Sequence, residues 1–177
     1  MGGLTSRNKG KRGEREVADL LQPTVDCVAT ELGLDAGKLL IQRNTVQSDR
    51  GGSDLTGLPG LSIEVKLCET LALESWWTQC QEQARGSKRI GAGGVPVLFY
   101  RSNRKAWRVR MEGYVGTAHG PGGAESFRRA PWPMPTRAVV DISLADFLAW
   151  FDRWCRQWLK ADSHLYLLPT CGKGCKH

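Results

Sequence analysis

Two carboxylates and a lysine between residues 54 and 66 have types and spacing suited to phosphoryl chemistry. Glu64 and Lys66 are separated by one residue, so they share one face of a strand, and Asp54 precedes them by a short turn. A hairpin between the two segments would bring Asp54 near Glu64. Such a cluster can hold magnesium, which takes oxygen ligands and keeps several waters. The metal would lower the pKa of a bound water and stabilise charge on a phosphoryl oxygen, while Lys66 would orient or deprotonate that water.

The Glu-x-Lys spacing alone is a weak signal, because a solvent-exposed ion pair on a sheet has the same pattern. Two local features favour a site. The pair is embedded in the apolar run Leu61 to Leu67, which predicts a central strand with Glu64 and Lys66 on one face. Asp54 follows a Gly-Gly-Ser loop, where the backbone can approach a ligand closely.

A third acid is predicted from a helix over residues 8–22. Glu14, Val17, Ala18 and Leu21 recur at helical spacing and therefore lie on one face. A carboxylate on an apolar stripe must face the core or a site that borders it. Glu14 is therefore predicted to point inward, towards the other two acids.

The remaining elements are predicted from periodicity and from turn residues. The last helix, capped by Ser143, has a wide apolar face that indicates either core packing or a dimer seam. A long Gly/Pro-rich loop is predicted over residues 113–137. Helices are predicted over Asp26–Leu34, 73–85 and 143–160. Strands are predicted at 39–43, 61–67, 95–100, 106–111 and 138–142, and a short strand is predicted to begin at Asp54.

Charge is distributed unevenly along the 177 residues, whose net charge is +7. Residues 1–15 carry five basic side chains and one acidic, and residues 85–110 carry eight basic and none acidic, whereas residues 16–84 carry four basic and eleven acidic. Basic segments are often only a solvated surface. The alternative is a polyanionic partner whose phosphates they neutralise, with the acids between them as metal ligands.

Composition excludes a disordered chain, since 41% of the residues are hydrophobic and 24% are charged. No apolar run is long enough for a membrane helix, and no export signal is seen, so a cytoplasmic protein with reduced cysteines is expected. We expect one domain over residues 1–160 and a tail over residues 161–177. The tail's Cys171, Cys175 and His177 indicate a zinc site less strongly than a frayed end.

Four short segments, in order, resemble the PD-(D/E)XK nuclease superfamily. They are Lys9–Glu16, Gln42–Asn44, Gly52–Asp54 (Gly-Ser-Asp where Pro-Asp is usual) and Ile63–Lys66. Within it, the chain is most similar to Holliday-junction resolvases of archaea and to resolvase-like nucleases of phages. The phage branch is indicated by the segments Trp76–Gln79, Pro96–Arg101 and Trp107–Val109.

The resemblance implies an α/β, restriction-endonuclease-like αβββαβ core, with a mixed central sheet flanked by helices. It also implies a homodimer that hydrolyses DNA phosphodiesters with Mg2+, for which Mn2+ substitutes. The implied catalytic residues are Glu14, Asp54, Glu64, Lys66 and Gln79, and the implied metal ligands are Asp54, Glu64, Glu14 and the backbone carbonyl of Val65.

DNA binding is predicted for the two basic segments, residues 7–15 and 85–110, which would follow phosphates without reading bases. The resemblance adds Arg43 and Ser53, at positions that contact DNA or support the site. The predicted DNA-binding residues are Arg7, Lys9, Lys11, Arg12, Arg43, Ser53, Arg85, Lys88 and Arg89.

The leading hypothesis is a structure-selective endonuclease, a Holliday-junction resolvase acting on branched or duplex DNA. A superfamily nuclease acting on flaps, ends or restriction sites is the runner-up, because fold alone does not decide substrate. A non-catalytic nucleic-acid-binding protein is a third hypothesis. It would be expected to have lost the acids Glu14, Asp54 and Glu64, all of which are present. An RNA-binding module would use tryptophans as stacking platforms, although most of them lie in apolar patterns.

Overall fold

The secondary structure has the predicted order of a helix, three strands, a helix, a hairpin, a strand and a helix. A computed structural model describes residues 3–45, 53–86, 94–115 and 136–167. The α-helices in these ranges are α1 (Gly3–Glu31), α2 (Leu73–Gly86) and α3 (Leu144–Ala161). The strands are β1 (Gln42–Arg43), β2 (Leu55–Thr56), β3 (Leu61–Cys68), β4 (Val95–Ser102), β5 (Arg108–Val115) and β6 (Thr136–Ser143).

A mixed four-stranded sheet with the order β3-β4-β5-β6 forms the centre of the fold. β3 and β4 are parallel and are connected through α2, whereas β4 and β5 form the predicted antiparallel hairpin, and β6 pairs antiparallel with β5. β1 and β2 form a separate two-stranded antiparallel ladder. This α/β architecture is consistent with the restriction-endonuclease-like fold that was expected.

The alternation predicted for β3 is confirmed by what covers each of its faces. Ile63, Val65 and Leu67 are buried in the main core, with residues of α1 and α3. The opposite face carries Glu64, whose parallel partner Leu98 packs under α2 with Trp77, Cys80 and Tyr100. Glu64 is therefore on the α2 side of the sheet, shielded from the larger core.

Helix α1 is longer than predicted and absorbs the second helix expected over residues 26–34. It continues through Pro23 because Val25, Val28 and Ala29 extend the buried stripe of its first half. It ends in a Schellman motif: Leu34 N–H donates to Ala29 O (2.9 Å) and Gly33 N–H donates to Thr30 O (3.1 Å). Gly33 takes the left-handed conformation that this motif needs, with φ 69°.

Strand β1 is shorter than the predicted strand over residues 39–43. The amide side chain of Gln22, on α1, donates to Leu39 O (3.0 Å) and accepts from Ile41 N–H (2.7 Å). A helix side chain therefore satisfies the backbone groups that a neighbouring strand would otherwise pair. The ladder with β2 begins only at Gln42.

Helix α3 begins as predicted, since Ser143 Oγ accepts from Asp146 N–H (3.1 Å). Its predicted core face is confirmed for Phe147, Phe151, Cys155, Trp158 and Leu159, all of which are buried. Phe147 packs edge-on against Phe99 of the sheet, with ring centroids 5.0 Å apart. The aromatic residues of α3 thus anchor it to the sheet face opposite α2.

The predicted loop over residues 113–137 is shorter at both ends, because β5 runs to Val115 and β6 begins at Thr136; residues 116–135 lie outside the described ranges. Beyond α3, Tyr166 O accepts from Asp35 N–H (2.8 Å), so the predicted tail begins with a segment that packs near the end of α1. Cys171, Cys175 and His177 lie outside the described residues. No described helix is long and apolar enough to cross a bilayer.

Two buried cysteines give the fold a predictable alkaline limit. Burial raises the pKa of Cys80 and Cys155 from 9.0 to about 12. Above about pH 9 the unfolded chain releases both protons while the folded protein retains them, so the free energy of unfolding falls as pH rises towards 12. Urea unfolding of the wild type and of a Cys80→Ala/Cys155→Ala variant, compared from pH 8 to 10.5, measures this. We expect the free energy of unfolding to depend less steeply on pH in the variant than in the wild type. Equal slopes would contradict the raised pKa of the two thiols.

Candidate active site

The backbone of β3 holds Asp54 opposite Glu64. Asp54 N–H donates to Ile63 O (2.7 Å), and Val65 N–H donates to Asp54 Oδ2 (2.7 Å). The two β3 groups, Ile63 O and Val65 N–H, belong to the residues on either side of Glu64. Asp54 and Glu64 are 6% and 3% exposed, respectively. The predicted juxtaposition of Asp54 and β3 is therefore present, and both acids are buried.

Ser53 clamps the segment before β2 onto β3. Its Oγ donates to Ile63 O (3.0 Å), accepts from Ile63 N–H (2.8 Å) and lies 3.4 Å from Leu55 N. The hydroxyl is thus engaged with the backbone that positions Asp54. The role expected for Ser53, in contacting DNA or in supporting the site, stays a prediction.

Asn44 joins β1 to the same segment and was not given a role from the sequence. Its N–H donates to Asp54 O (2.8 Å), and its Nδ2 donates to Ser53 O (3.0 Å). Gly57 permits this close approach of the two short strands, because it has φ 91° and a Cβ there would lie 2.2 Å from Leu40 O. The sequence signal for Asn44 was its place in the segment Gln42–Asn44, which resembles the superfamily.

The Glu-x-Lys pair forms an ion pair within β3, with Lys66 Nζ 2.5 Å from Glu64 Oε1. Lys66 is 21% exposed and reaches the edge of the buried site. The second oxygen, Glu64 Oε2, is buried and has no hydrogen-bond partner in the described part of the chain. A buried carboxylate oxygen of this kind is costly unless a cation or water meets it. Two adjacent carboxylates fit a hard divalent cation such as Mg2+.

Glu14 points inward as predicted, but its carboxylate is held by another residue. Its side chain is 14% exposed and forms an ion pair with Nε of Arg43 on β1. Within the ranges that the structure describes, no three or more Asp, Glu, His or Cys side chains are placed to hold a metal ion together. The structure therefore brings Asp54, Glu64 and Lys66 together, whereas Glu14 is bound to Arg43. Val65 lies within this group, although its carbonyl as a metal ligand stays a prediction.

Gln79, the predicted auxiliary residue, lies on the exposed side of α2. The next residue, Cys80, faces the site instead and is fully buried, with its Sγ 3.9 Å from Ser62 O. Burial, and then the negative charge of Glu64, raises the pKa of Cys80 to about 12. Its thiol is therefore neutral at physiological pH and packs between α2 and β3.

The predicted DNA-binding residues of α1 and α2 that the structure describes lie at or near the surface. Arg12 and Arg85 are exposed, Lys11 is half-buried, and Lys9 Nζ lies 3.7 Å from Glu69 Oε1 at the end of β3. The side chain of Arg7, together with Lys88 and Arg89, falls outside the described part of the chain. Their contacts with DNA stay predictions.

Arg101, in the basic segment 85–110, is engaged within the protein. Its Nη2 donates to Glu16 Oε2 (2.7 Å), and its guanidinium lies 4.6 Å from the ring centroid of Trp107. Trp107 Nε1 donates to the other oxygen of Glu16 (3.0 Å). This cluster fastens α1 to the hairpin, so Glu16, which lies off the apolar stripe, has a structural role.

Arg110 is buried and also binds acids within the protein. It donates to Asp141 of β6 through Nε (2.9 Å) and Nη2 (2.7 Å), and to Glu74 of α2 through Nη1 (2.7 Å). The Arg110 guanidinium holds the pKa of Asp141 below its ordinary value. Strand alternation places Arg110 on the α2 side of the sheet, where it joins three elements and is withheld from an external phosphate.

Comparison with protein families identifies one match. A family described as "Phage putative PDDEXK endonuclease" matches residues 5–118, which run from α1 to just past β5 and include Glu14, Asp54, Glu64 and Lys66. No curated protein and no solved structure matches the chain.

Ser53 provides a direct test of how the site is held. Ser53→Ala removes three backbone contacts and leaves Ile63 N–H without its partner, so we expect a loss of about 1–3 kcal/mol in the free energy of unfolding. Faster hydrogen exchange at the Ile63 amide should accompany it. Thr56→Ala is the matched control, because its exposed hydroxyl makes one 3.3 Å contact with Gln42 O. Equal effects of the two substitutions on urea unfolding would show that Ser53 is not a clamp.

Proposed function

Since the chain belongs to the phage putative PDDEXK endonuclease family, we propose that it is a metal-dependent DNA endonuclease selective for branched structures, namely a Holliday-junction resolvase. The observation that carries the proposal is the buried carboxylate pair. Asp54 is fixed by hydrogen bonds on both sides of Glu64, and Glu64 Oε2 has no hydrogen-bond partner among the described residues. A group of this composition suits cation-assisted phosphodiester chemistry better than it suits stability.

Asp54 and Glu64 would hold Mg2+, with the Val65 carbonyl and Glu14 as further ligands and Mn2+ as a substitute. When bound, the ion would polarise a phosphoryl oxygen and lower the pKa of a water. The chain's own residues supply the positioning. Ser53 and Asn44 fix Asp54, and the buried surroundings of Glu64 limit competing water.

Lys66 is the proposed catalytic cation. It lies beside Glu64 and is partly exposed, so its ammonium can reach both the carboxylate pair and an incoming phosphate. In that position it would orient the attacking water and offset negative charge on the phosphate. Gln79, on the exposed side of α2, is kept as the proposed auxiliary residue.

The proposed DNA-binding surface is built on the first half of α1, with Lys9, Lys11 and Arg12, and is extended by Arg43 and by Arg85 at the end of α2. Arg7, Lys88 and Arg89, whose side chains lie outside the described part of the chain, are proposed as further contacts. Such side chains contact phosphates and carry no sequence information. A homodimer would place two such surfaces on a two-fold axis, which matches the symmetry of a four-way junction. Half-buried Trp150 and Trp154 on α3 are candidates for its interface.

A panel of labelled DNA substrates tests the activity. Incubated with Mg2+, the protein should introduce paired, symmetric nicks in a four-way junction and leave linear duplex, flaps and single strands intact. Gel analysis of the products, with EDTA as the metal-free control, measures this. Cleavage of every substrate would show a general nuclease and contradict the resolvase assignment. Cleavage unaffected by EDTA would contradict metal dependence.

Isosteric substitutions test the assigned residues. Asp54→Asn keeps the acceptor for Val65 N–H, and Glu64→Gln keeps the shape of its side chain, so both should fold while losing about 100-fold or more in cleavage rate. Lys66→Met should lose a similar factor. Asp19→Asn and Glu82→Gln are matched controls, because both acids are exposed on α1 and α2. Full activity in Asp54→Asn and Glu64→Gln, with unchanged melting temperatures, would overturn the site.

A further inference from the structure

We infer that Arg43 is a positioning residue that withholds Glu14 from the carboxylate pair and releases it when DNA binds. The inference rests on the proposed function. It starts from two assignments that compete in the structure, since Glu14 is expected to bind metal and Arg43 is expected to bind DNA. The two side chains are instead bound to each other.

The ion pair spans two elements that are both fixed beside the site. Glu14 lies on the inward face of α1, and Arg43 lies on β1, 29 residues away in sequence. The residue after Arg43 is Asn44, whose hydrogen bonds reach Asp54 O and Ser53 O. The Glu14–Arg43 pair is thus docked against the segment that carries Asp54. With its carboxylate bound to Arg43, Glu14 does not form a metal cluster with two other acids among the described residues.

The exposure of the two partners suits an exchange. The Arg43 side chain is 26% exposed and that of Glu14 is 14% exposed, so Arg43 is the more accessible partner of the pair. A guanidinium can donate paired hydrogen bonds to a phosphate with the same geometry as to a carboxylate. A DNA phosphate would therefore take the place of Glu14 on Arg43, and the released carboxylate would be drawn to the cation at Asp54 and Glu64.

Such an exchange makes metal and DNA binding mutually supportive. A cation that attracts Glu14 frees Arg43 for phosphate, and a phosphate that occupies Arg43 frees Glu14 for the cation. Thermodynamic linkage requires each ligand to raise the affinity for the other by the same factor. Without DNA, the metal site would lack its third carboxylate, so full loading would follow only once substrate is present.

The test measures Mn2+ binding by electron paramagnetic resonance, with and without a four-way DNA junction. All proteins carry Lys66→Met so that the DNA stays intact. In this background we expect the junction to tighten Mn2+ binding about tenfold, within the usual range of coupling between two sites. Arg43→Gln should tighten Mn2+ binding several-fold without DNA and reduce the effect of the junction to less than twofold.

Glu14→Gln breaks the same ion pair from the other side and should have the opposite effect on the metal. Mn2+ binding should weaken with and without DNA, while metal-free junction binding should tighten because Arg43 is free. A purely structural pair would instead give the same change in both variants. Arg156→Gln is the matched control, since Arg156 pairs with Glu31 of α1 at the far end of that helix, and it should leave Mn2+ binding unchanged.

The outcomes separate this inference from the proposed function. Weaker DNA-free Mn2+ binding in Arg43→Gln, or an undiminished effect of the junction in that variant, would overturn the exchange while leaving the metal site intact. Mn2+ binding that Glu64→Gln does not affect would overturn the proposed function and the exchange with it. Thermal unfolding of each variant confirms that the compared proteins are folded.

Discussion

The arrangement of the site depends on Asp54, which forms hydrogen bonds with the residues on both sides of Glu64. Asp54 uses its N–H and its carboxylate to bind the backbone groups that flank Glu64, in the way a paired strand would. This fixes the spacing of two acids that would otherwise repel each other in a buried place. Ser53 and Asn44 secure the segment from its two sides, and Gly57 lets the short strands approach. The rest of the fold positions β3 for this contact through its pairing with β4 and its packing against the helices.

Several of these features were predictable because they depend on local periodicity. The inward face of Glu14 follows from helical spacing, the placement of Glu64 and Lys66 follows from strand alternation, and the start of α3 follows from Ser143. The continuation of α1 through Pro23 was not predictable, because it depends on tertiary burial of Val25 and Val28 outweighing a lost hydrogen bond. The shortening of β1 likewise depends on Gln22, a residue of another element.

Charged residues were the hardest to assign, because composition does not reveal which partner a side chain meets. Arg101 and Arg110 belong to a strongly basic stretch, yet each is engaged by acids that are distant in sequence, Glu16 for the first and Asp141 for the second. The pairing of Glu14 with Arg43 is of the same kind. The basic composition of a strand is therefore not enough to identify a nucleic-acid surface when both faces of its sheet are covered, since Arg101 meets α1 on one face and Arg110 meets α2 on the other.

The two ion pairs at the site have a consequence for how fast an anionic partner arrives. Glu14 is matched by Arg43, and Glu64 is matched by Lys66, so two of the three acids add little net negative charge. A polyanion approaching this surface is repelled weakly by the site and attracted by the exposed basic residues of α1. The encounter rate would then be governed by those residues and would fall with ionic strength. Pairing each of these acids with a basic side chain thereby keeps them from slowing the approach of a polyanion.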